Sequence, residues 1–137
     1  TSLHLGYRAY KVIRKELKIK EQDFGSIDKR QRYRFVSPWL ALNSANYQKY
    51  RGCNRDQKKK LLEKILVGNL LSVSKGLSYT VSEQISASII YLRPVECRLK
   101  GTPVIGFNGA FEANFDLPNL LGLGKSVSRG FGAVTRV

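Results

Sequence analysis

Residues 105–115, IGFNGAFEANF, place Ile105, Phe107, Phe111, Ala113 and Phe115 at every second position, with Gly106, Asn108, Ala110, Glu112 and Asn114 between them. Strand side chains alternate between two faces, so this period predicts a strand with one buried and one polar face. Gly109 falls on the apolar face, which signals a bulge or the close approach of another backbone. Upstream, Ile85, Ala87, Ile89 and Tyr91 alternate with Ser86, Ser88 and Ile90, and a loop through Pro94 and Gly101 joins the two strands.

Further out the period changes. Across residues 55–75, Leu61, Leu62, Ile65, Leu66, Leu70 and Val73 recur at three- and four-residue spacing, the apolar stripe of a helix. Asn54 with Gln57 forms a capping pair at its start, and Gly76 is placed to end it in a left-handed conformation. Lys60, Lys64, Ser72 and Lys75 fall off the stripe, either as solvated side chains or as a phosphate-facing row. Residues 33–42, YRFVSPWLAL, are rich in aromatic and β-branched residues and read as a strand, with Pro38 at an edge or bulge. The polar residues 22–32, with Gly25 and Ser26 as turn residues, read as a connection and a boundary. Short β-like stretches lie at residues 10–13 and 17–19, and a closing strand at 131–137. The order from Tyr33 is β-α-β-β-loop-β. That is an α+β, ferredoxin-like (RRM-like) plan whose second helix is short or replaced by a glycine-rich loop.

The charge is the compositional outlier. The 137 residues carry Lys+Arg 24 against Asp+Glu 10, a net charge of +14, which costs self-repulsion unless a polyanion is the partner. Residues 8–34 hold Arg8, Lys11, Arg14, Lys15, Lys18, Lys20, Lys29, Arg30, Arg32 and Arg34, and residues 49–64 hold a second cluster. Tyr7, Tyr10, Tyr33, Tyr47 and Tyr50 are interleaved with them, as stacking faces for unpaired bases or as core and rim packing. No apolar run approaches the roughly 18 residues of a membrane span, and the basic residues do not sit on an amphipathic membrane-surface helix. The chain contains no Met and begins with Thr1, which points to a processed chain or a fragment. Cys53 and Cys97 lack the clustered partners of a zinc site and read as free thiols in a reducing compartment. No metal and no cofactor is implied.

Residues 117–132 read LPNLLGLGKSVSRGFG. Gly124-Lys125-Ser126 ends like a nucleotide-hydrolase phosphate loop, but Asn119 stands where the opening glycine belongs, and Val127 breaks the dinucleotide fingerprint. Arg129-Gly130-Phe131-Gly132-Ala133-Val134 matches the first half of the RNA-recognition octapeptide. Ala133 and Arg136 stand where that motif needs aromatics, which argues against an ordinary RNA-recognition motif. What remains is a set of glycines that admit positive φ and close ligand approach. Successive amides in such turns form an anion-binding concavity, and Lys125 and Arg129 add positive charge. Gly122, Gly124, Lys125, Ser126, Ser128, Arg129, Gly130 and Gly132 are the candidate RNA-binding residues.

The pattern G-x-G-x5-G-F-G near a C-terminus resembles the loop of the CRISPR repeat-processing endoribonucleases, the sixth Cas protein family. YRFVSPWLALN (33–43), KKKLLEKILVGNLLSVSKG (58–76) and GLGKSVSRGFG (122–132) are similar in order and spacing to its b-subfamily. The resemblance implies two tandem ferredoxin-like domains, residues 1–32 being the C-terminal strands of the first and residues 33–137 the second. It also implies a prokaryotic cytoplasmic enzyme that binds repeat RNA and cuts it without metal to leave a 2′,3′-cyclic phosphate. Other Cas proteins or a second copy are its further partners. Such chemistry needs a base and an acid, the work of histidine with lysine or tyrosine help. The sole histidine, His4, does not match the family's catalytic position, so no catalytic residue is identified in this chain. The alternative is a non-catalytic RNA-binding subunit that holds repeat or guide RNA in a larger CRISPR effector.

Overall fold

A computed structural model describes residues 24–137. The β-like stretches at 10–13 and 17–19, His4, Tyr7, Tyr10 and the basic residues from Arg8 to Lys20 lie outside the described residues. Within them the element order is β1 (Gly25–Phe35), α1 (Ser44–Gly52), α2 (Arg55–Gly76), β2 (Ala87–Leu99), β3 (Thr102–Asp116), a 3-10 turn (Val127–Arg129) and β4 (Val134–Arg136). The four strands form one antiparallel sheet in the order β2-β3-β1-β4. This is the ferredoxin-like arrangement expected, with the 3-10 turn and its glycine-rich surroundings in place of the second helix.

β3 is the central strand the alternation announced. Phe107, Phe111, Ala113 and Phe115 are buried on the side that α2 covers, and the helix adds Leu62, Leu66, Leu70 and Ser74. Leu61, Ile65 and Val73 flank that stripe half-buried. Both hydrogen bonds of the Asn54–Gln57 capping box form, at 2.9 Å. At the other end the expectation for Gly76 fails. Leu77 caps the helix with φ −92, and the left-handed residue is Ser78. Gly109 meets its expectation: a Cβ there would strike the Tyr91 carbonyl oxygen, opposite the register shift between Ile89 and Tyr91. The carboxylate of Glu63 on α2 accepts from the Ile89 amide at that bulge, at 2.8 Å.

Three boundaries differ from the sequence reading. The polar residues 25–32 are not a connection but most of β1. Its alternation is hidden because the register slips between Ser26 and Gln31 and leaves Asp28, Lys29 and Arg30 exposed. The strand then stops at Phe35, and residues 36–38 leave the ladder before Trp39 re-enters it through a two-bond bridge to Phe107. The loop through Pro94 is likewise strand. β2 runs to Leu99 and turns on Lys100 and Gly101, both at positive φ (52 and 79), which suits a two-residue hairpin. Pro94 is tolerated because β2 is an outer strand with one unpaired side. One element went unread: α1 buries no residue, so it shows no apolar stripe.

Tyr33 on β1 is wholly buried, and its hydroxyl donates to Phe115 O at 2.7 Å while accepting from Leu117 N at 2.8 Å. Burial pushes its pKa up to about 12, the Leu117 amide offsetting only part of the effect. A pKa raised above the unfolded value gives stability that is intact below pH ~10 and lost as pH climbs toward ~12, by up to ~3 kcal/mol. Tyr33→Phe is expected to cost about 1–3 kcal/mol at neutral pH, since it orphans the buried Leu117 amide. It also flattens the alkaline decline between pH 10 and 12, as urea denaturation across that range would show.

Candidate nucleic-acid interface

The segment between β3 and β4 is built on what residues 36–41 offer it. Gly132 N donates to Pro38 O at 2.8 Å, Lys125 N to Leu40 O at 2.9 Å and Ala133 N to Ser37 Oγ at 3.0 Å, while Val36 N returns a bond to Ala133 O. Leu123 N to Gly132 O and Val134 N to Leu121 O close the base of the loop, with Gly122 opposite Ala133. Under it lies Trp39, wholly buried, stacked on Phe35 at 5.2 Å, its indole N–H donating to Asn69 Oδ1 of α2 at 2.9 Å.

Three of the four motif glycines answer to this packing. A Cβ at Gly124 would lie 2.7 Å from the Trp39 ring, one at Gly132 would overlap the Leu123 carbonyl oxygen, and one at Gly122 would overlap the Val127 side chain. Gly130 has open space around it and is set by its φ of 91. Most amides of the loop are spent internally, those of Leu123, Lys125, Arg129, Gly130 and Gly132 among them. The amides of Ser126, Val127 and Ser128 donate to no oxygen among the described residues. Ser126 is held left-handed at φ 59 ahead of the 3-10 turn.

Lys125, Ser128 and Arg129 are exposed on the loop's outer side, and Ser126 is half-buried. The ion pairs among the described residues are Arg32–Glu112 at 2.9 Å and Arg136–Asp116 at 2.5 Å, so neither loop cation is neutralised there. The loop therefore supplies two cations unpaired among the described residues, two hydroxyls and, from Ser126 to Ser128, three consecutive unspent amides on one buried frame. Such a set can hold a phosphodiester by charge and hydrogen bonding.

The remaining candidates divide. Tyr33 is core, and Tyr50 packs on Phe107 at 5.7 Å with Lys58 Nζ 4.7 Å over its ring, burial raising its pKa. Neither face is open to a base. Tyr47 is half-buried on α1, with Arg51 Cζ 5.8 Å from its ring centroid. Lys49, Arg51, Arg55, Lys59, Lys60 and Lys64 are exposed around the α1–α2 corner, and Ser72 and Lys75 farther along α2. Sequence reasoning passed over Tyr91, 56% exposed on β2, because its place in an alternating run marked it for the buried face. The extra residue at the Ile89–Tyr91 register shift puts it outside. Among the described residues no helix is long and apolar enough to cross a membrane.

Fold and loop together define a ferredoxin-like domain closed by a basic glycine-rich C-terminal segment. Residues 25–137 match the Cas6b C-terminal domain family, and the chain belongs to that family. The uncharacterized protein MJ0978 of Methanocaldococcus jannaschii is 47% identical over 135 residues, 98% of this chain and 92% of its own length. Two solved structures, described as Cas6b and as the CRISPR RNA processing endoribonuclease Cas6b, superpose with a TM-score of 0.81 at 42% identity over 83% of this chain. The chain spans 58% of the length of those two proteins. Csf5, a type IV Cas6 crRNA endonuclease, shares the fold at a TM-score of 0.63 and 16% identity, over 84% of this chain and 46% of its own.

Gly124→Ala and Gly132→Ala are each expected to lower stability by about 3 kcal/mol, because a backbone or indole neighbour must move as well as φ. Gly130→Ala meets only the φ penalty, about 1 kcal/mol. Thermal denaturation of the three variants tests this ranking.

Proposed function

We propose that this chain is the RNA-binding C-terminal domain of a metal-independent endoribonuclease that matures CRISPR repeat RNA in the prokaryotic cytoplasm. In that reading a preceding ferredoxin-like domain lies before Phe24, not up to residue 32, since residues 25–32 belong to β1 of this sheet and to the matched family domain. The observation that carries the reading is the loop of residues 122–132, whose cations Lys125 and Arg129 and amides at Ser126 to Ser128 are not used by the frame that fixes them. The substrate class is supported by the 42% identical Cas6b described as a CRISPR RNA processing endoribonuclease. Gly122, Gly124, Gly130 and Gly132 shape the cradle, while Lys125, Ser126, Ser128 and Arg129 contact the ribose-phosphate chain. Further Cas proteins or a second copy are the protein partners this reading admits.

A second reading is favoured by one observation: His4 is the chain's only histidine, whereas cleavage by a 2′-hydroxyl needs both a base and an acid. In that reading the chain holds repeat or guide RNA without cutting it. The two separate in one assay. This chain, and a longer protein that adds a preceding domain, are incubated with repeat RNA in EDTA. The first reading expects a single cut with a 2′,3′-cyclic end from the longer protein, and no cut from it would count heavily against that reading. Cleavage by the 137-residue chain alone would eliminate the second.

Lys125→Ala combined with Arg129→Ala is expected to reduce the slope of log Kd against log salt by up to ~2, one for each cation removed from the phosphates. Filter binding between 50 and ~300 mM salt measures it. An unchanged slope would mean that the loop is only structural.

A further inference from the structure

A groove of about 640 Å³ opens beside the glycine loop. Leu40 and Leu42 come from the segment beneath the loop, Tyr47 stands on α1, and Pro94 and Ile105 come from the outer half of the β2–β3 hairpin. Its charged residues are two of opposite sign, Lys125 from the glycine loop and Glu96 from β2, and Asn43 and Ser44 line it as well. Glu96 stands directly across the ladder from Ile105. It forms no ion pair among the described residues, although the chain has 24 basic side chains against 10 acidic ones.

We infer that this groove takes one unpaired, amino-bearing nucleobase of the RNA held by the glycine loop, with Glu96 reading its exocyclic amine and Lys125 its phosphate. The inference rests on the RNA-binding reading above. The volume lies within the roughly 300–1,000 Å³ of sites for small organic ligands, and the walls are mixed, apolar side chains interspersed with Asn43, Ser44, Glu96 and Lys125. The apolar side chains and the half-buried Tyr47 suit the flat faces of a base. A carboxylate repels the phosphate chain, so the phosphate belongs at the Lys125 side and the base at the Glu96 side. A carboxylate accepts from the amine of cytosine but finds only a carbonyl oxygen at the same place on uracil. Continuity of the groove with the loop at Lys125 lets consecutive nucleotides occupy both.

The test compares 12-nucleotide oligocytidine and oligouridine, binding to the wild-type chain, Glu96→Ala and Ile105→Trp at one salt concentration. Wild type is expected to bind oligocytidine about tenfold more tightly than oligouridine. Glu96→Ala brings the two within about twofold while leaving oligouridine nearly unchanged, and Ile105→Trp, which fills the groove, weakens oligocytidine about tenfold with the salt slope preserved. If Ile105→Trp melts below the wild type, the surface substitution Glu96→Ala decides alone. Equal binding of both strands by wild type, untouched by Glu96→Ala, overturns this inference and leaves the RNA-binding reading standing. Binding of neither strand overturns both. A change in sedimentation of Ile105→Trp with unaltered RNA affinity shows a protein occupant and overturns the inference too.

Discussion

The Trp39 indole joins sheet, helix and loop, and the rest of the fold depends on its burial. Its ring stacks on Phe35, its backbone bridges Phe107 on the central strand, its N–H reaches Asn69 on α2, and Gly124 lies against its edge. A buried indole contributes a large apolar area but needs a partner for its one donor, so the helix must present Asn69 where it does. The glycine loop in turn can sit only where a residue without a Cβ meets that ring. Position is therefore handed from a hydrophobic contact to an exposed cation. Lys125 stands next to Gly124, and its own amide is bonded to the carbonyl of Leu40, beside the tryptophan.

Electrostatics work against this packing. Of the carboxylates described, Glu112 and Asp116 answer arginines on β1 and β4, and Glu63 is spent on a strand amide. The cations around the α1–α2 corner have no such relief, apart from the aromatic faces that Lys58 and Arg51 find. Unrelieved like charge is a standing cost to the folded state and a gain on meeting a polyanion. The loop and the helix corner both carry such unrelieved charge. The loop holds its charges on a frame fixed by hydrogen bonds, and the corner holds them on long side chains free to rearrange. Preorganised groups lose less entropy on binding.

The sheet and the main helix were legible because their periods are clean. Leu62, Leu66 and Leu70 recur every fourth residue, and Phe111, Ala113 and Phe115 every second. What failed to read was irregular for physical reasons. The slipped register between Ser26 and Gln31 made most of β1 look like a polar linker, and the shift at Ile89 sent Tyr91 to the wrong face. α1 could not be seen at all, because a helix that buries nothing has no stripe. The glycine segment was found by its spacing, but the work of individual glycines was hidden. Gly122, Gly124 and Gly132 serve packing against Val127, Trp39 and Leu123, contacts made between residues far apart in the chain or across the loop's closure. The groove at Glu96 and Tyr47 left no local signal, since its walls come from four separate segments.

The two outer strands carry a further consequence. Beside β4 the chain lays residues 120–123, Leu120 N bonding Val134 O and Asn119 Oδ1 taking the Arg136 amide. On β2 the Glu63 carboxylate occupies an amide, a bulge interrupts the strand, and Pro94 offers no donor. A protein gathered at high density along a polyanion brings many copies into lateral contact, the situation in which unpaired strands polymerise. Here neither flank offers a continuous ladder to a neighbour, which works against edge-to-edge pairing of copies held close together.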